Sequence, residues 1–178
     1  MIYITSDLHF NHNKPFLYEK RGFNSIEEMN NQILDNWNKT ITDNDEVYIL
    51  GDLMLGDNDS GIKLINQLNG NKHIILGNHD TDARIAKYSP ELNCASINFA
   101  ARLKYNKHSF YLTHYPTITS NYDDYKTGGV INLCGHTHTN NAFSDFDKGL
   151  IYHCELDAHN CYPISIDKIL ADINTKLS

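Results

Sequence analysis

Seven residues able to bind first-row metal ions stand in five short blocks along this sequence. The blocks are Asp7-Leu8-His9, Gly51-Asp52, Gly77-Asn78-His79-Asp80, His114 and Gly135-His136-Thr137-His138. Imidazole nitrogens suit zinc, iron, manganese and nickel, while carboxylate and amide oxygens suit harder cations. The mixed set Asp7, His9, Asp52, Asn78, His114, His136 and His138 exceeds the usual needs of one ion. It fits two ions that share a carboxylate. Asp52 is the natural bridge, because only Asp52 and Asp7 bring anionic oxygens to the set. Two divalent ions bring four positive charges and two carboxylates return two, so the site stays positive and draws a phosphate. Metal ions also lower the pKa of bound water, and the resulting hydroxide can attack phosphorus in line. The chemistry this pattern points to is hydrolysis of a phosphate ester.

The elements that must position these residues alternate between strand and helix. Ile2 to Thr5 reads as a short apolar strand, Val47 to Leu50 as a second and His73 to Leu76 as a third. A metal-capable block follows each strand directly. In open α/β sheets, ligands bind beyond the carboxyl ends of the strands, so blocks far apart in sequence can converge there. Residues 25 to 39 form the clearest helix. Ser25 and Glu28 make a capping box, and Ile26, Met29, Ile33, Leu34 and Trp37 share one face. Gly61 to Leu68 reads as another helix, with Gly70 as its stop.

The second half is richer in strands: Ser96 to Arg102, Ser109 to Thr113, Val130 to Leu133 and Leu150 to Cys154. Residues 115 to 128 form a long loop, and 167 to 176 a closing helix. This order, α/β first and then mostly β, predicts two packed sheets with helices outside.

The bulk properties limit the function classes. With 178 residues the chain can bury one core, and residues 1–178 read as a single domain. The formal net charge of −7 argues against a broad basic surface that tracks nucleic acid. It leaves room for a small phosphorylated substrate, since bound ions supply local positive charge. Cys94, Cys134, Cys154 and Cys161 form no C-x-x-C pair, so free thiols are expected. Asp7 interrupts any candidate signal sequence, and no apolar run reaches membrane-spanning length. A soluble, cytoplasmic protein without membrane contact is expected. Oligomeric state is not readable from the sequence.

The five blocks in this order resemble the calcineurin-like metallophosphoesterase superfamily, whose signature runs D-x-H, G-D, G-N-H-[DE], H and G-H-x-H. Further similarity, to short bacterial and phage-type members, lies in Phe10-x-His12, Ser25-x-x-Glu28, His114-Tyr115-Pro116, Leu156-Asp157 and Tyr162-Pro163-Ile164-Ser165. A glycine often precedes the Leu-Asp pair in those chains, and Glu155 stands there here. The resemblance implies a four-layer α/β/β/α sandwich of two mixed sheets. It implies that Asp7, His9 and His138 hold one ion, that Asn78, His114 and His136 hold the other, and that Asp52 bridges. It implies two divalent ions, manganese foremost, with iron, zinc, nickel or magnesium as alternatives. By the same resemblance His79 contacts the phosphate and assists the leaving group without binding metal.

Taken singly, Asp7 and Asp52 are ordinary turn residues and His9 and His138 ordinary buried histidines. Five blocks in order reverse that weighting. Asn78 and His79 are also expected against the substrate, and Arg21 is a candidate to clamp a phosphate bidentately. Two other functions compete with a small-substrate phosphoesterase. One is a nuclease or DNA-end-processing enzyme of the same superfamily, against which length and charge both count. The other is a catalytically silent metal-binding module, against which the complete ligand set counts.

Overall fold

The computed structural model describes residues 1–119, 129–144 and 151–177. Its first sheet follows from alternation along three parallel strands, β1 (Ile2–Thr5), β2 (Glu46–Leu50) and β3 (Asn71–Ile75). Val47, Ile49 and Ile74 point to one hydrophobic cluster, while Ile4, Leu50 and Ile75 point to a second. Successive side chains on a strand face opposite ways, so strands that bury apolar residues on both faces must be covered on both.

Helices cover the first face. α1 (Pro15–Tyr18) gives Leu17 to this cluster. α2 (Ile26–Thr40) buries Ile26, Met29, Ile33 and Trp37 there. Each fully buried aliphatic side chain contributes roughly 1.5–3 kcal/mol. The Ser25 hydroxyl accepts from the Glu28 amide at 3.1 Å, while the Glu28 carboxylate reaches back one residue further, to the Asn24 amide at 2.8 Å. α3 (Asn58–Ile65) begins three residues earlier than expected, because Asp57 caps it by accepting from the Ser60 amide at 2.8 Å. α4 (Asp82–Glu91) was not legible in the sequence: Thr81 gives it no side-chain cap, and Pro90 stands in its last turn. Its buried anchor is Tyr88.

The run expected as one strand from Ser96 to Arg102 is two strands in different sheets. β4 (Ser96–Asn98) pairs with β3, and β5 (Ala101–Tyr105) pairs antiparallel with β6 (His108–Leu112). The break falls at Phe99-Ala100, where the chain crosses from one sheet to the other. β7 (Val130–Cys134) and β8 (Ile151–His153) complete a sheet of order β5-β6-β7-β8. A short strand that sequence pattern missed, β9 (Ile164–Ser165), closes the first sheet antiparallel to β1, giving β4-β3-β2-β1-β9.

Phe110, Leu112, Ile131 and Leu133 meet Ile4, Leu50 and Ile75 between the sheets. α5 (Ile166–Leu177) adds Ile166, Ile169, Leu170 and Ile173 to that cluster. Two mixed sheets with flanking helices are the architecture expected. The beginning of the strand expected from Leu150 and residues 120–128 of the expected loop lie outside the described residues. Among the described residues, no helix is long and apolar enough to cross a membrane.

Candidate metal centre

The parallel strands explain why the five blocks meet. β1, β2 and β3 run the same way in one sheet, as do β6, β7 and β8 in the other. A metal-capable block follows β1, β2, β3, β6 and β7, so all emerge at strand carboxyl ends. The two sheets are joined there. Ser6 pairs with Glu155 as a parallel bridge, and the Leu156 amide donates to the Ser6 carbonyl at 3.2 Å. The His136 amide donates to Asp7 Oδ2 at 2.9 Å, tying the second sheet's loop to the first sheet's carboxylate.

Within this junction the side chains form two groups. In the first, Asp7 Oδ1 lies 3.5 Å from both His9 Nε2 and His138 Nε2, and the two nitrogens are 3.1 Å apart. In the second, His114 Nε2 lies 2.8 Å from Asn78 Oδ1 and 3.2 Å from His136 Nδ1. Asp52 Oδ2 belongs to both, 3.6 Å from His9 Nε2 and 3.6 Å from His114 Nε2. Ligand atoms about 2.1 Å from one ion sit about 3.0–3.4 Å apart, close to these separations. All seven residues expected as ligands are thus gathered in one place.

A fit test comes from a buried atom. Asp7 is fully buried, and its Oδ1 has no hydrogen-bond partner. A buried carboxylate oxygen without a donor is costly, and a cation answers that need. The histidines are prepared in the same sense. His114 Nδ1 bonds the Leu50 carbonyl at 2.8 Å, which leaves its Nε2 lone pair facing Asp52. His138 Nδ1 bonds Asp157 Oδ2 at 2.9 Å, which likewise frees its Nε2. Burial, with the nearby His138 and Arg21 charges, outweighs the pull of Asp7 and lowers His9 to about 4, so its ring is neutral and able to ligate. Burial pushes Asp52 up to about 6, and the Asp7 and Asp80 carboxylates add to the rise. Burial would raise Asp7 too, but the His9 ring 3.5 Å away, with His138 and His114 nearby, outweighs it and holds the carboxyl at about 2. The donor set fits two divalent cations.

The backbone is strained where these groups converge. Asp7, His9, Asp52, His136 and His138 all adopt positive φ, between 50° and 76°. Left-handed backbone costs a non-glycine residue about 1–2 kcal/mol. Such outliers persist only where surrounding structure enforces them, and they concentrate at functional sites. The glycines of the blocks have a different task, close approach. A Cβ on Gly51 would come within 2.6 Å of His114 Nδ1, and one on Gly135 within 2.3 Å of Asp7 Oδ2.

His79 stands apart from both groups. Its amide donates to Asp52 Oδ1 at 2.8 Å, and Arg84 Nη1 holds its carbonyl at 2.5 Å. Its ring is 40% exposed, with Nε2 3.9 Å from Asp52 Oδ2. The neighbouring Asp80 knits two loops together. Its carboxylate accepts from the Asp52 and Gly77 amides at 2.9 and 2.8 Å and from the Tyr88 hydroxyl at 2.7 Å.

Arg21 departs from expectation. Its side chain is 1% exposed, and Nη2 donates to Asp157 Oδ2 at 2.7 Å and to the Asp7 carbonyl at 2.8 Å. A guanidinium so enclosed holds the ligand framework and does not present a fork to a phosphate. The residue that sequence reasoning left without a role is Asp157. It joins Arg21 to His138, and a carboxylate behind a ligating histidine fixes the ring's orientation and tautomer. Its position after β8 obeys the same strand-end rule as the other blocks, and that was the signal available.

Residues 1–153 match the calcineurin-like phosphoesterase superfamily domain. The chain is 34% identical over 177 residues to the uncharacterized protein MJ1445 of Methanocaldococcus jannaschii, covering 95% of this chain and 89% of that protein. It is 27% identical over 199 residues to the gene 66 protein of Mycobacterium phage D29, covering 99% of this chain and 98% of the phage protein. Its fold is similar to that of the Aquifex aeolicus protein of unknown function AQ665, with a TM-score of 0.74 and 26% identity, covering 96% and 98% of the two chains. With its five ordered blocks folded into one strand-end site, the chain belongs to the calcineurin-like phosphoesterase superfamily.

Proposed function

We propose that this protein is a phosphoesterase that works with two divalent metal ions and hydrolyses small or nucleotide-like phosphate esters. The observation that carries this reading is the place of Asp52 Oδ2 in both ligand groups, 3.6 Å from His9 Nε2 and 3.6 Å from His114 Nε2. Asp7, His9 and His138 would hold one ion and Asn78, His114 and His136 the other, with Asp52 between them. Ions bound there would supply positive charge for phosphate oxygens and acidity for a water molecule.

The chain's own residues do the rest. The Asp7 backbone is locked by Arg21 and by its amide's bond to the Gly51 carbonyl at 3.1 Å, so the ligand groups are preorganised. His79, held at its amide and its carbonyl, keeps an exposed ring beside the shared carboxylate. From there its imidazole can meet a phosphate oxygen and pass a proton to the departing alkoxide. Asn78 Oδ1 faces His114, and the same amide group borders the space where a phosphate would sit.

A preference for diesters over monoesters follows from the cations. Arg21 is engaged by Asp157, Lys20 by the His138 carbonyl and Asp157, and Arg84 by the His79 carbonyl and Asn58. These three are therefore committed to protein groups, whereas a monoester dianion needs additional positive charge. The test is purified protein loaded in turn with manganese, iron, zinc, nickel or magnesium. Bound metal is counted by elemental analysis, and bis-p-nitrophenyl phosphate is compared with p-nitrophenyl phosphate. Two ions per chain and faster diester turnover are expected. A single zinc held by four of these groups, or no turnover with any metal, overturns the reading.

A further inference from the structure

Two exposed aromatic rings stand near the ligand groups, Tyr115 against the second group and Phe16 one histidine removed from the first, and among the described residues neither belongs to a hydrophobic core. Tyr115 is 50% exposed and stands beside the second group, its ring centroid 4.7 Å from that of His136 and 5.1 Å from that of His114. Phe16 is 70% exposed and meets His12 edge-on at 5.7 Å. His12 in turn lies 5.2 Å from His9 and 6.2 Å from His79, so Phe16 serves the side of the first group. One ring therefore stands toward each of the two groups that Asp52 links. Around Tyr115 the backbone is fixed without the ring: the Thr113 and Thr117 hydroxyls donate to its carbonyl at 2.8 and 3.0 Å.

We propose that Tyr115 and Phe16 are stacking platforms for nucleobases, and that the substrate of this centre is a short nucleotidyl phosphodiester. This rests on the phosphoesterase reading above. The phosphate lies at the Asp52-centred groups, and a base on one or both ester arms lies against a ring. An exposed aromatic face takes any nucleobase, because every base has a π-face. A lipid tail is a poorer occupant, since the polar imidazoles of His12, His114 and His136 lie beside the two rings. A long polynucleotide is disfavoured by the net charge of −7 and by the commitment of Lys20, Arg21 and Arg84 to protein groups.

The test is calorimetric binding to manganese-loaded protein of adenosine 5′-monophosphate and of ribose 5-phosphate, which differ only in the base. The wild type should bind the nucleotide roughly tenfold more tightly, within the range measured for base–aromatic stacking. In the Phe16→Ala/Tyr115→Ala double variant the ratio of the two Kd values should fall towards one, and in Tyr115→Phe it should persist. Both side chains are exposed, so these variants should fold. A ratio near one in the wild type, or an undiminished ratio in the double variant, overturns the stacking role while phosphate binding leaves the phosphoesterase reading standing. Failure of both phosphates to bind overturns the stacking role, and together with no turnover of any ester it overturns both.

Discussion

Replacing Asp157 by Asn tests the idea that this site is held from behind. Asp157 is 1% exposed on its side chain and accepts at the same oxygen from His138 Nδ1 and Arg21 Nη2. Burial alone would raise its pKa, but the His138 hydrogen bond and the Arg21 charge outweigh burial and hold the carboxyl well below the ordinary range. An amide of the same shape has one acceptor oxygen and one NH2 group. Turned with its oxygen toward His138 and Arg21 it can still accept both hydrogen bonds, but it no longer brings the negative charge that compensates the buried guanidinium. Removing one partner of a buried ion pair costs about 3–5 kcal/mol. Arg21 keeps the Asp7 carbonyl at 2.8 Å, which places the expected loss towards the lower end, about 3 kcal/mol. In a domain of this size that lowers Tm by roughly 6–12 °C.

Metal affinity should fall as well, by the roughly 10–100-fold typical when the partner of a ligating histidine is removed. Thermal unfolding in chelator isolates the first effect, and manganese titration followed by calorimetry isolates the second. Arg21→Ala with Asp157→Ala completes a double-mutant cycle, in which a coupling above about 1 kcal/mol is expected for residues in direct contact. Unchanged metal affinity in Asp157→Asn, or strictly additive losses in the cycle, would refute the reasoning.

Three further outcomes are expected. Asp52→Ala should abolish activity more completely than Asp7→Ala, since Asp52 Oδ2 faces both ligand groups; rescue of Asp52→Ala at lower metal concentration than Asp7→Ala, in a metal titration of activity, counts against the bridge. His79→Ala should retain its metal by elemental analysis, lose modest activity on nitrophenyl esters, and lose about 10²–10⁴-fold on alkyl or nucleoside esters. Equal losses on both substrate types would restrict His79 to positioning phosphate. Chelator should lower the wild-type Tm by several degrees, because the unpartnered Asp7 Oδ1 and the crowded Asp52 are then left uncompensated in the interior; a Tm indifferent to chelator and added manganese speaks against a resident cation.

The sequence by itself determined the five blocks, the apolar strands before them and the cap of α2, because each rests on local pattern. An Asp or His just past a buried parallel strand is legible without coordinates, since strand direction fixes the edge at which it emerges. Local pattern failed where tertiary contacts outweighed it. α4 has no side-chain cap and carries Pro90 in its last turn, and the buried Tyr88–Asp80 hydrogen bond anchors it to the site. The apolar run from Ser96 to Arg102 hides a change of sheet, because both halves are strand-like and only their partners differ. Positive φ at Asp7, His9, Asp52, His136 and His138 has only a weak sequence signature, since Asp and His enter this region more readily than most side chains but far less readily than glycine. Arg21 shows the limit most clearly. Its residue type fits a phosphate clamp, but folding brings Asp157, more than a hundred residues away, to within 2.7 Å. A buried guanidinium must satisfy its charge from whatever the fold places beside it, and that neighbour is decided only when the two sheets close over each other.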